Sequence, residues 1–158
     1  MGHAAKILAD SITPGGVRLT TMGVTFPRIV LAEFNTHRMF SRNSASSRAI
    51  PVEKQIARVT EDPFEPISWG KNQKGMQAEE ELDKHTSNYA HETWMQARDE
   101  ALDSARRLLA LGVHKQITNR LLEPWMWHTV IVTATEWDNF FNLRCHPMAQ
   151  PEIQKIAY

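Results

Sequence analysis

Basic and small polar side chains are concentrated in segment 36–48, where a histidine, arginines, serines and an asparagine follow one another. Guanidinium groups, hydroxyls and exposed backbone N–H groups all donate hydrogen bonds, and together they suit phosphate oxygens. Between Arg28 and Arg48 the chain carries four arginines and a single acid, Glu33. The segment therefore predicts an anion-binding loop. A solvated loop whose arginines pair with surface carboxylates would have the same composition and stays open.

A second candidate is segment 139–144, in which Asn139 and Arg144 stand beside an apolar helix face. Arginine stays protonated at physiological pH, so Arg144 cannot act as an acid or base but can hold an anionic ring or a phosphate. The alternative is that Arg144 only caps the carbonyl groups of a helix end.

Other kinds of chemistry find little support in the sequence. His85 and His91 do not share a helix face, and no HExxH or paired CxxC pattern occurs, so we predict no metal site. A Rossmann fingerprint and a P-loop are absent as well. Cys145 has no identifiable base beside it, which favours a half-buried bystander over a thiolate nucleophile.

Length and composition limit the class of protein. The chain has 158 residues, 18 basic and 18 acidic side chains and one cysteine, which favours one ordinary domain in a reducing compartment. No apolar run has the length that crossing a bilayer requires, and the start of the chain lacks the apolar region of a signal peptide. Zero net charge argues against general affinity for nucleic acid. We expect a cytoplasmic protein with no membrane contact and no specific nucleic-acid binding.

Hydrophobic periodicity predicts the elements that position these segments. Period-two alternation favours strands over 17–22 and 127–133. Helical spacing favours helices over 25–38, 52–59, 77–111, a short stretch ending near 122, 138–143 and 149–158. Gly112 is expected to end the long helix, and Pro124 is expected to break the chain after the short one. Segments 41–48 and 62–75 are expected to be loops.

The long helix predicts contact with a partner subunit. At about 1.5 Å per residue it would be roughly 50 Å long, which exceeds what a domain of this size covers. Its inward positions are expected to be Leu82, Tyr89, Trp94, Ala101, Leu102, Ala105, Leu108 and Leu109. Core packing is expected for Trp94, Trp125, Trp127 and Trp137, with packing at an interface as the alternative. The last helix has no cap before the chain ends, which favours a chain truncated at its C-terminus.

Segment 36–48 resembles the signature of the flavin-dependent thymidylate synthases, RHRxxSxNExSxRY. The positions that match at the same spacing are His37, Arg38, Ser41, Asn43, Ser46 and Arg48. Thr36, Ser44 and Ala49 stand where the family has Arg, Glu and Tyr. Segments 139–144 and 149–153 are similar to the family's late NFxNLR and AQxEI stretches, and 120–124 is weakly similar to its RxxLP stretch. The resemblance covers the chain from about residue 17 to its end and is greatest to the phage-type branch.

The resemblance implies an α+β fold with a small antiparallel sheet flanked by long helices. It implies a single domain over residues 1–158 and a homotetramer with active sites at subunit interfaces. It also implies FAD as cofactor, with NADPH and methylenetetrahydrofolate as co-substrates, for the reductive methylation of dUMP to dTMP without a covalent cysteine. For a phage-encoded protein the compartment would be the host cytoplasm.

By the same resemblance each candidate residue has an implied role. FAD would be contacted by Thr36, His37, Arg38, Ser44 and Asn139. The residues implied to bind dUMP are Glu33, Ser46, Ser47, Arg48, Arg120 and Arg144. Arg144 is also the implied catalytic residue, because a cation near the pyrimidine stabilises the electron-rich form that attacks the one-carbon unit.

The departures from the signature leave alternatives open. Thr36 and Ser44 together remove one positive and one negative group, so the charge of the pocket can be conserved. Glu33 stands where the family has a glutamine. A carboxylate only accepts hydrogen bonds, whereas an amide also donates them, so Glu33 changes which pyrimidine groups can be bound. One alternative is a pyrimidine-nucleotide hydroxymethylase of the same superfamily, whose product would retain an oxygen. The other is a non-catalytic nucleotide-binding paralogue that binds no flavin and binds nucleic acid with steep salt dependence.

Overall fold

A computed structural model describes residues 2–158 of the protein. The chain folds into two compact units. The first unit contains the chain up to Ser46 together with Trp127–Tyr158, and the second unit is Ser47–Met126. The strands are β1 Ala4–Ile12, β2 Arg18–Pro27, β3 Ser41–Ser44 and β4 Trp127–Ala134. The α-helices are α1 Leu31–Asn35, α2 Val52–Glu61, α3 Lys84–Ala110, α4 Lys115–Thr118, α5 Asp138–Arg144 and α6 Pro151–Ala157. Short 3-10 helices cover Arg28–Val30, Ser47–Ala49 and Asn119–Trp125.

The first unit is built on an antiparallel sheet with the strand order β1-β2-β4-β3. Alternate residues of β4 point to one face, which places Val130 and Val132 in the core and leaves Thr129 and Ile131 exposed. Side chains from β2, the 3-10 helix Arg28–Val30, α1 and the turn after it, α5 and α6 complete this core. They are Val24, Phe26, Val30, Phe34, Phe40, Phe140 and Ile153. Burial of these apolar side chains fixes α1 and α5 on one face of the sheet.

The second unit packs α2 and α3 around the 3-10 helix Asn119–Trp125. Its core contains Val59, Leu102, Ala105, Leu122, Trp125 and Met126. Two indole groups also satisfy buried carbonyls: Trp94 Nε1 donates to the Phe64 carbonyl at 3.1 Å, and Trp125 Nε1 donates to the Trp94 carbonyl at 3.2 Å. The predicted core role is confirmed for Trp125, which is buried, whereas Trp94, Trp127 and Trp137 are half-buried.

The ends of α3 follow from local chemistry. The Asp83 carboxylate accepts hydrogen bonds from the backbone N–H groups of His85 and Thr86, both at 3.0 Å. The Thr86 hydroxyl also donates to this carboxylate and is the largest cause of the lowered pKa of Asp83. The two backbone bonds lower this pKa further. Gly112 follows the helix with a φ of 76°, a left-handed conformation that glycine adopts most easily, so the predicted stop is confirmed.

The predicted start of the long helix at 77 is wrong by about two turns, because Asp83 caps α3 and Lys84 is its first residue. Ahead of it the chain forms a small hairpin, in which Lys71 N donates to the Glu80 carbonyl at 2.7 Å and Leu82 N donates to the Trp69 carbonyl at 2.8 Å. The inward orientation of Tyr89 is wrong as well, since this side chain is 69% exposed.

The helix predicted over 25–38 is also wrong in its first part. Thr25 and Phe26 pair with Thr129 and His128 of β4, so β2 continues to Pro27 and a 3-10 turn precedes the short α1. The loop predicted over 41–48 contains β3, which pairs with β4 through its backbone. In both places pairing with a strand distant in sequence overrides the local pattern.

The predicted strand over 127–133 and the two predicted helices that follow it are confirmed. β4, α5 and α6 lie where the pattern placed them, with ends that differ by one or two residues. The prediction that Pro124 ends the short helical segment is wrong, because Pro124 lies inside the 3-10 helix that ends at Trp125. Among residues 2–158, none of the helices combines the length and the apolar character that crossing a bilayer requires.

Candidate active site

Arg144, the last residue of α5, reaches across to the turn that follows α1. Its Nε donates to Nε2 of His37 at 2.9 Å, and its Nη2 donates to Thr36 Oγ1 at 3.2 Å and to the Glu33 carbonyl at 3.3 Å. Nη1 makes no hydrogen bond to any described residue. Three contacts from two nitrogens therefore fix the plane of the guanidinium and leave one nitrogen to meet a ligand.

His37 is a buried acceptor in this arrangement. It is 5% exposed, and its ring lies against Phe140 at 4.9 Å and Phe40 at 5.8 Å between centroids. Because arginine can only donate, His37 Nε2 is unprotonated and the ring is neutral with its proton on Nδ1. Burial is the largest cause of the lowered pKa of His37, and the positive charges of Arg144 and Arg42 lower this pKa further.

Arg42 of β3 clamps the end of α1. Its Nη1 donates to the carbonyls of Asn35 at 2.8 Å, His37 at 3.2 Å and Phe34 at 3.3 Å. A cation at the carbonyl end of a helix satisfies unpaired acceptors and the helix dipole. Sequence reasoning counted Arg42 only as part of a basic segment, because this contact depends on β3 folding back beside α1.

Ser44 belongs to a different chain of contacts in the first unit. His128 Nδ1 lies 3.2 Å from Nη1 of Arg28, and His128 Nε2 lies 3.1 Å from Ser44 Oγ. Since Arg28 can only donate, His128 Nδ1 accepts and Nε2–H donates to Ser44, which leaves the Ser44 O–H as a donor. His128 was missed from the sequence, although a polar residue on the buried face of β4 is a signal for a positioned group.

The three arginines at the end of α1, Arg38, Arg42 and Arg144, are not neutralised by carboxylates. Arg42 and Arg144 bond to carbonyl, hydroxyl and imidazole groups, and exposed Arg38 has no hydrogen bond or ion pair within residues 2–158. The alternative in which the loop arginines pair with surface carboxylates is therefore wrong for Arg38 and Arg42. Nearby on α1, Glu33 Oε2 is buried without a hydrogen-bond partner in the described chain.

The remaining arginine candidates lie in the second unit. Arg48 is exposed and has no partner in the part of the chain that the structure describes, and Arg120 forms an ion pair with Glu123 at 2.9 Å. Between them, Asn119 Nδ2 donates to the Ser47 carbonyl at 2.7 Å and to the Ile50 carbonyl at 2.9 Å. Asn119 gave no signal in the sequence, because its importance depends on this contact with a segment far away in the chain.

The structure brings together four of the predicted residues, Glu33, Thr36, His37 and Arg144. Arg38, Ser44, Ser46 and Asn139 belong to the same unit without bonding to those four, and the second unit holds Ser47, Arg48 and Arg120. Cys145 is half-buried, and its thiol donates to the Ala157 carbonyl at 3.3 Å. This contact agrees with the bystander interpretation.

Comparisons with known proteins bear on the fold and the family. The crystal structure of a UMP/dUMP methylase, PolB from Streptomyces cacaoi, bound with 5-Br UMP, is 16% identical in sequence. The match covers 98% of this chain and 85% of that chain with a TM-score of 0.75, which confirms the α+β fold with a small antiparallel sheet. A comparison with curated proteins finds no match.

A family model gives the assignment. The model described as thymidylate synthase complementing protein matches residues 17–158, and the match runs through both units. It agrees with the resemblance carried by segments 36–48 and 139–144. The chain therefore belongs to the thymidylate synthase complementing protein family.

Proposed function

We propose that the protein converts dUMP to dTMP in the cytoplasm, with FAD as cofactor and NADPH and methylenetetrahydrofolate as co-substrates. The observation that carries the proposal is the geometry of Arg144, which is held by three uncharged groups and keeps Nη1 available. Membership of the family supports the reaction. The UMP/dUMP methylase of the same fold supports a pyrimidine nucleotide as substrate.

Arg144 is the proposed catalytic residue. C5 of uracil is a poor nucleophile, and a cation beside the ring stabilises the electron-rich form that attacks the one-carbon unit. Because His37, Thr36 and the Glu33 carbonyl already fix the guanidinium, little reorganisation is needed when charge develops on the ring. No covalent cysteine is required, which agrees with the contact of Cys145 to a backbone carbonyl.

The proposed dUMP site also uses Glu33, Ser46, Ser47, Arg48 and Arg120. The buried Glu33 Oε2 needs a donor, and the N3–H of a uracil ring is one. Arg48 has a free guanidinium in the described chain. The i,i+3 pair of exposed Arg120 with half-buried Glu123 lies at the surface and is weak enough for a phosphate to replace Glu123.

The first unit fits the proposed FAD contacts. Arg38 presents an exposed guanidinium without a carboxylate partner, Ser44 keeps an O–H to donate, and Asn139 presents an exposed amide on α5. Thr36 accepts from Arg144 and Ser44 accepts from His128, so both hydroxyls that replace charged groups of the family signature have hydrogen-bond partners. His37 is the fifth proposed contact. When bound, FAD supplies the redox chemistry of the reaction, while the protein supplies orientation and charge.

We further propose that residues 1–158 act as one catalytic domain in a homotetramer. Leu102 and Ala105 are the buried residues of α3, a helix of 27 residues. Most of this helix is therefore available to a partner subunit. The assignment to the phage-type branch stays a prediction.

A visible-spectrum titration with FAD, in the presence and absence of dUMP, tests the proposed site. We expect a perturbed flavin band that shifts again when dUMP is added, because both ligands share one site. In Arg48→Ala the flavin band should persist while the dUMP-induced shift needs a higher dUMP concentration. Arg58→Ala, at an exposed position of α2, is the matched control and should behave as the wild type. Absence of flavin binding under both conditions would favour the non-catalytic paralogue.

A further inference from the structure

We propose that Asn119 is a positioning residue that aligns Arg48 and Arg120 for the phosphate of the nucleotide. The proposal rests on the proposed function. Asn119 is 0% exposed and begins the 3-10 helix Asn119–Trp125. Its Nδ2 group uses both protons, one for the Ser47 carbonyl and one for the Ile50 carbonyl. One amide therefore joins the 3-10 turn Ser47–Ala49 to the helix that carries Arg120.

The hydrogen bond from Asn119 to the Ser47 carbonyl, called the link below, joins residues that lie next to the two arginines. Ser47 directly precedes Arg48, and Asn119 directly precedes Arg120. The two arginines thus extend from backbone segments that a bond of 2.7 Å holds together. A phosphate monoester accepts hydrogen bonds from two guanidinium groups at once, and it binds more tightly when both are already in place.

The link depends on the Nδ2 group of the Asn119 amide, which donates both hydrogen bonds. Both contacts of Asn119 are donated to carbonyl oxygens, whereas its Oδ1 is buried without a hydrogen-bond partner in the described chain. An aspartate has the same size but can only accept, so it would leave the carbonyls of Ser47 and Ile50 facing another oxygen. Asn119→Asp therefore breaks the link with a minimal change of shape.

Thr118 offers a matched control for loss of stability. It is also 0% exposed and neighbours Asn119, but its hydroxyl donates to the Val113 carbonyl at 3.3 Å rather than to the turn that carries Arg48. Thr118→Val removes a buried hydrogen bond from the same region without touching the link. Asn119→Ala is the second Asn119 variant, for use if the aspartate prevents folding.

The test compares dUMP with deoxyuridine, which lacks the phosphate, in direct binding and compares kcat with KM in turnover. Both Asn119 variants should raise the Kd and the KM for dUMP about tenfold, which corresponds to the roughly 1.4 kcal/mol of one net hydrogen bond. Their kcat and their affinity for deoxyuridine should stay close to the wild-type values. Thr118→Val should lower thermal stability without changing the preference for dUMP over deoxyuridine.

Three results would overturn the proposal. An unchanged preference for dUMP in both Asn119 variants would reduce Asn119 to a structural residue while leaving the function intact. An equal loss of preference in Thr118→Val would trace the effect to general destabilisation. Failure of the wild-type protein to bind dUMP at all would overturn the proposed function and the role of Asn119 together.

Discussion

Replacement of Arg144 by alanine is expected to lower kcat for dUMP by about 10²–10³-fold or more, the usual cost of removing one oriented donor from a reacting centre. The guanidinium is the group that would stabilise charge on the pyrimidine, and its three contacts to Glu33, Thr36 and His37 leave Nη1 for the ligand. Steady-state turnover checks this expectation. Flavin absorbance should be retained, because the proposed FAD contacts do not include Arg144.

Two variants separate the charge of Arg144 from its geometry. Arg144→Lys keeps the positive charge but not the planar fork, so it should recover only part of the lost turnover. Arg58→Ala removes an exposed arginine of α2 and should leave turnover unchanged. Turnover of Arg144→Ala within a few-fold of the wild type would remove Arg144 from the catalytic role.

The second large effect is a loss of turnover on acidification, caused by His37. The pKa of this residue is lowered from 6.5 by burial and by the charges of Arg144 and Arg42 that face it from α5 and β3. The neutral ring accepts from Arg144 Nε, whereas the protonated ring cannot accept and repels the guanidinium. Turnover should therefore be full above about pH 6.5 and fall as the pH decreases through the lowered pKa.

Stability should change in the same direction. The unfolded chain, in which His37 has an ordinary pKa, takes up a proton at a higher pH than the folded chain does. The free energy of unfolding therefore decreases as the pH falls below about 6.5, and the decrease ends once the folded protein is also protonated. His3, whose pKa burial also lowers, contributes with the same sign.

Matched glutamine variants separate the two histidines. His37→Gln places an uncharged acceptor near Arg144 and should remove the acidic decrease of kcat. His3→Gln removes the other histidine of lowered pKa, whose ring lies against Trp127, and should leave the pH profile of kcat unchanged. Profiles of kcat against pH with thermal melting at each pH supply the measurement. An acidic decrease that persists in His37→Gln would assign the titration to another group.

Prediction from sequence succeeded where the local pattern agrees with the fold. In β4 every second residue is buried and the residues between are exposed or half-buried, and Gly112 takes the left-handed conformation that ends α3. The signature in segment 36–48 and the NFFNLR segment identified the family, and the structure joins them through Arg144 and His37. At these positions the local conformational propensity, the hydrophobic pattern and the packing all favour the same structure.

Prediction failed where contacts distant in sequence decide the structure. All nine residues of β1 are exposed, so this strand lacks the apolar alternation that a buried face produces. β3 is rich in serine and is held by its backbone pairing with β4. The roles of Arg42 and Asn119 depend on carbonyls that folding brings to them, and no spacing along the chain records those partners.

The identity of the product tests the proposed function most directly. The purified protein would be incubated with dUMP, methylenetetrahydrofolate, NADPH and FAD, and the nucleotide would be analysed by mass spectrometry, with each component omitted in turn. We predict dTMP, which exceeds dUMP by one methylene, and its loss when FAD or NADPH is omitted. A product that retains an oxygen would assign the protein to hydroxymethylation, and complete recovery of dUMP from a protein that binds it would contradict catalysis.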